Sequence, residues 1–88
     1  MDLILATSKA GHDNKQVYVV IEELDDYYLL ANGTTKTVDK PKKKKKIHLQ
    51  LIKNIPSEVL DIINNIEVLD DISIKRILKS YNRRNKDV

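Results

Sequence analysis

A small, mainly β domain that ends in helix is the fold class this sequence predicts, and three observations predict it. Gln16 to Glu23 is a β-branched run with period-2 alternation, Asn32-Gly33 separates two strand-like runs, and the apolar period changes after Pro56. At 88 residues the chain suits one small domain with an appendage.

The elements follow in order. Leu3 to Thr7 is a short apolar strand that runs into a polar loop, Ser8 to Lys15. In Gln16 to Glu23, Val17, Val19 and Ile21 share one face, and Tyr18, Val20 and Glu22 the other. Asp25-Asp26 marks a turn, and Tyr27 to Ala31 is a third strand. Asn32-Gly33 predicts a type I′ hairpin, which needs φ > 0 at both central residues, with Thr34 to Val38 returning. Pro41 has no N–H to give a ladder. After the lysines, Ile47, Leu49 and Leu51 alternate with His48, Gln50 and Ile52 in a fifth strand. Five short antiparallel strands in about fifty residues suit a strongly bent, SH3-like barrel.

Ser57 is a candidate N-cap for a first helix carrying Val59, Leu60, Ile62, Ile63 and Ile66. Asp70-Asp71 then precedes Ile74, Ile77, Leu78 and Tyr81, which recur at helical spacing. Lys75, Arg76, Lys79, Arg83 and Arg84 face away. Acids at the start and bases at the end suit the helix dipole. The expected division is a barrel over 1–53, including the basic 40–46 segment, and a helical extension over 54–88. A barrel with its own core is expected to hold without that tail.

Charge points to function. Lys42 to Lys46 are five consecutive lysines with Lys40 and Pro41 just before them. These six lysines carry twice the net charge of +3, so the rest of the chain is net acidic. Concentrated like charge repels itself, and an anionic polymer that releases counterions neutralises it. The plainer reading is a solvated run beside Pro41. There is no Cys, hence no disulfide or thiolate metal site, and no cofactor is expected. No segment approaches the roughly 20 apolar residues of a membrane span, and the start lacks the pattern of a signal peptide. A cytoplasmic monomer away from membranes is the expectation. No GxxxxGK[ST], HExxH, GxSxG or Cys nucleophile occurs, and both acid pairs suit turns and caps, so no catalysis is expected. Phe and Trp are absent, which leaves Tyr18, Tyr27, Tyr28 and Tyr81 for packing or base stacking.

The block Leu5 to Asp13, followed by Val17-Tyr18-Val19-Val20, resembles a KOW motif: a strand, a loop with a fixed Gly, and a second alternating strand. With Leu30-Ala31-Asn32-Gly33, the run from Lys40 to Leu49, and Asp71 to Leu78, the chain is similar to small bacterial KOW-domain RNA-binding proteins. These in turn resemble KOW domains of archaeal and eukaryotic large-subunit ribosomal proteins. In the loop His12-Asp13-Asn14-Lys15 the chain departs from the common Arg-Asp-Lys-Gly. The resemblance implies binding of structured RNA, ribosomal RNA foremost, within the translation apparatus. The contacts expected are Lys9, Gly11, His12, Lys15, Lys36, Lys40, Lys42, Lys43, Lys44, Lys45, Lys46 and His48. Lys36, on the return strand, is expected to join Lys9 and Lys15 in a positive rim. The alternative is a protein-interaction module, in which the barrel or the apolar face of the last helix holds a ribosomal, transcription or translation protein.

Overall fold

The computed structural model describes residues 3–9 and 16–86. Five antiparallel strands form one curled sheet: β1 (Ile4–Ser8), β2 (Val17–Glu23), β3 (Tyr27–Ala31), β4 (Lys42–Lys45) and β5 (Leu49–Ile52). The order is β4-β3-β2-β1-β5, so β4 and β5 are its two edges. A 3₁₀ turn, Lys46–His48, joins them. Two helices follow, α1 (Ser57–Asn64) and α2 (Asp71–Lys86). The architecture is the small, mainly β, SH3-like half-barrel with a helical end that the alternation predicts.

The alternation in β2 sorts its side chains between two cores. Tyr18 and Val20 join Ala6, Tyr28, Leu30 and Leu49 inside the curl. Val19 joins Leu5 and Ala31 on the outside, with Val17 and Ile21 packed beside them. A bulge at Ile21 lets Val20 face Leu30 while Glu22 faces Leu29. One extra residue there bends the strand and deepens the curl.

The outer face is not left to solvent. Val59, Ile63, Ile74, Ile77 and Leu78 cover it, and Leu5, Val19 and Ala31 are fully buried beneath them. Helices and sheet therefore share one core, and the expectation that the tail is dispensable does not fit this packing. The predicted faces hold: Ile74, Ile77 and Leu78 are buried, and Tyr81 is half-buried against them. Leu60 turns outward instead.

Three local expectations are corrected. First, Asn32-Gly33 is no type I′ turn: Gly33 has φ +82°, and among the described residues no non-glycine has positive φ. Asn32 Oδ1 accepts the N–H groups of Thr34 and Lys36 at 3.0 and 2.9 Å, and Asp71 Oδ1 accepts that of Val38 at 2.9 Å. Side chains thus take up donors that a return strand would need, and Thr34 to Val38 is a loop docked on α2. Second, the partner of β3 is the lysine run itself, with Tyr27 opposite Lys45 and Leu30 opposite Lys42. Pro41 stands just outside that ladder, where its missing N–H does no harm. Third, Ile47 lies in the 3₁₀ turn, and β5 begins only at Leu49.

The start of α1 differs too, while that of α2 is capped by an acid as expected. Ser57 is not the cap of α1: Pro56 holds that position, its carbonyl accepting the N–H groups of Val59 and Leu60, both at 3.0 Å. Asp70 caps α2. Its carboxylate accepts the Ser73 N–H at 2.8 Å, and its carbonyl accepts that of Ile74 at 3.0 Å. The bonds from Ser73, backbone foremost, hold the Asp70 carboxyl below its ordinary value. A depressed folded-state pKa contributes stability above the unfolded value, roughly 3.9, and that contribution is lost as pH falls through the folded value. We predict that Asp70→Asn, which caps without titrating, removes part of the acid-side decline in the urea midpoint. An identical decline in both proteins refutes this.

Candidate nucleic-acid interface

Strand pairing divides the lysine run by parity. Leu30 and Tyr28 point into the curl, so Lys42 and Lys44, their partners, do so as well, and both are half-buried. Lys42 Nζ lies 5.8 Å from the Tyr18 ring centroid. Lys44 Nζ donates to Ser8 Oγ at 2.9 Å, across the gap between β4 and the β1–β5 side of the sheet. Lys46, just beyond the strand, bonds Glu23 Oε2 at 2.6 Å and lies 5.1 Å from the Tyr28 centroid. The Glu23 bond raises its ammonium pKa. That pair is solvent-facing and adds little stability.

Lys43 and Lys45 point the other way and are exposed. Lys43 Nζ lies 4.5 Å from the centroid of Tyr27, a half-buried ring. Among the described residues the run is thus half structural, closing the curl over tyrosines, and half free to meet an anion. The reading of a solvated, unpacked run is corrected on this point. Long lysine stems pack on apolar surface while the charge stays wet, which is why five lysines are tolerated in one strand region.

The remaining candidates fall at two places. Lys9 and His48 are brought together: the Lys9 N–H donates to the His48 carbonyl at 2.9 Å, and both residues are exposed. Lys40 is exposed and Lys36 half-buried in the β3–β4 loop. Lys36 is not on a return strand, since Asn32 and Gly33 donate to its carbonyl at 2.8 and 3.0 Å in the loop. Gly11, His12 and Lys15 lie outside the described residues.

Tyr18 and Tyr28 are buried, so of the three sheet tyrosines only Tyr27 reaches solvent substantially. Two neighbours of the lysine edge escaped the sequence reading. Asp26 and Ile47 line a shallow depression with Tyr27, Lys45 and Lys46. Asp26 reads only as a turn residue and Ile47 only as a strand residue. Their meeting depends on the hydrogen bond from Lys46 N–H to the Asp26 carbonyl, 2.9 Å, which no periodicity reveals. On the helices, Arg76, Lys79 and Arg83 line a second, shallow basic groove with Glu58, Ile62 and Ser80. Among the described residues no helix is long and apolar enough to cross a membrane. No protein-family profile matches the chain, and no curated protein is significantly similar to it.

Proposed function

We propose that this chain is an RNA-binding protein of the KOW kind that serves the translation apparatus in the cytoplasm, holding structured RNA, ribosomal RNA foremost, without catalysis. The observation that carries the reading is an edge strand made of lysine, whose outward members Lys43 and Lys45 stand exposed on a rigid sheet. Lysines fixed in register offer point charges to successive phosphates, with less side-chain ordering to supply than a disordered run would need. Lys9, whose N–H bonds the His48 carbonyl at the end of the 3₁₀ turn, adds a further exposed ammonium group. A-form RNA is read through shape, phosphates and 2′-OH groups, and a rigid edge serves that purpose.

The experiment separates the two faces of β4. Lys43→Gln with Lys45→Gln weakens RNA binding for every sequence tested. If both contact phosphate, the slope of log K against log salt flattens by about 1.4 to 1.8, at 0.7 to 0.9 per contact. Stability changes by less than about 1 kcal/mol. Lys42→Gln with Lys44→Gln instead costs stability, about 1 to 2 kcal/mol, through the lost Tyr18 and Ser8 contacts. Unchanged affinity and salt slope in the Lys43/Lys45 variant overturn the reading.

A further inference from the structure

The depression beside the lysine edge has a composition that phosphate binding alone does not explain. Its walls include Tyr27 and Ile47, the latter 70% exposed on the 3₁₀ turn. An exposed branched aliphatic has no use for phosphate, and an acid, Asp26, is among the lining residues. The site is held in shape from both sides: the Lys46 N–H to Asp26 carbonyl bond ties the β2–β3 turn to the 3₁₀ turn. Lys43 takes up part of the Tyr27 ring, yet it is not among the residues lining the depression.

Each part matches one part of a nucleotide. An aromatic ring and a branched aliphatic side chain receive the two sides of a planar base, and Lys45 at the rim receives its phosphate. A carboxylate accepts only, through two oxygens side by side, and so selects a base edge with two adjacent donors. Guanine presents N1–H and N2–H₂ together on its Watson–Crick edge. Adenine and cytosine each set one amine beside a lone pair, and uracil sets one N–H between two carbonyls. Resting on the RNA-binding reading above, we propose that this depression holds one unpaired guanine of an RNA bound along β4. Asp26 faces its Watson–Crick edge, and Tyr27 and Ile47 hold its ring.

The test uses end-labelled oligouridylate probes of equal length with one central guanosine, inosine or adenosine, titrated by fluorescence anisotropy. Inosine keeps N1–H but lacks the N2 amine. The guanosine probe binds about tenfold more tightly than the adenosine probe, within the range of a bidentate base contact, and inosine falls between. Asp26→Asn removes the preference but leaves the salt slope, because the lysines remain; Asp26 is exposed, so the variant folds. The inosine comparison on the unaltered chain stands whether or not that variant behaves well. Equal affinities for all three probes, with salt-sensitive binding intact, overturn the guanine site and leave the phosphate surface standing; a depression that serves a peptide gives this result. Absence of binding to any RNA overturns both.

Discussion

Gly33→Val destabilises this protein by about 2 to 5 kcal/mol. The backbone at Gly33 has φ +82°, which costs an L-residue roughly 1 to 2 kcal/mol. A Cβ built there would also lie 2.6 Å from the Asp71 carbonyl oxygen and 2.8 Å from Lys75 Cγ. Lysine can move, but the carbonyl belongs to the first turn of α2, so the helix or the loop must shift, and overpacking of that kind costs about 1 to 3 kcal/mol more. The displaced turn also loosens the Val38 to Asp71 hydrogen bond. Gly33→Ala should do nearly as much damage, since its methyl group meets the same carbonyl. Urea denaturation decides it: a shift below about 0.5 kcal/mol in either variant means the loop relaxes without α2.

Truncation after Asp70 leaves the remaining chain unfolded. It removes Ile74, Ile77 and Leu78, all buried, and uncovers Leu5, Val19 and Ala31. At about 2 kcal/mol per buried aliphatic side chain, the lost residues alone account for roughly 6 kcal/mol. A domain of this size has a total stability of roughly 4 to 13 kcal/mol. The inner cluster of Ala6, Tyr18, Val20, Tyr28, Leu30 and Leu49 remains, but one filled face does not hold a five-stranded sheet whose other face is apolar. A dispersed amide spectrum and cooperative melting in the truncated chain would show that the inner cluster suffices.

Periodicity made most of the fold legible. Val17 to Ile21 alternates because each face has its own core, and Ile74, Ile77, Leu78 and Tyr81 recur because one helix face is covered. It failed where side chains took over backbone hydrogen bonds. Asn32 and Asp71 bind the N–H groups of Thr34, Lys36 and Val38, and the stretch that the Asn32-Gly33 signal marks as a returning strand becomes a loop. The lysine run hid its strand because hydropathy cannot alternate in a homopolymer, although a strand still sends successive residues to opposite faces. The candidate interface was legible as charge but not as geometry. Which lysines are free follows from the Lys42–Leu30 and Lys44–Tyr28 pairing, and Asp26 meets Ile47 through a backbone bond that leaves no mark on composition.

The place of β4 at the edge of the sheet also bears on colloidal behaviour. An unpaired edge is a template on which another chain can add a strand. Here a second copy pairing through β4 would set two rows of ammonium groups against each other across a strand spacing of about 4.8 Å. The run thus guards the very edge it forms, and the guard is only as strong as its charge. Exchanging all five lysines for glutamine removes it, and that protein should self-associate with rising concentration in light scattering while the parent chain does not. A polyanion laid along the same edge neutralises the charge but covers the strand as it does so, and the exposed template never meets a second copy.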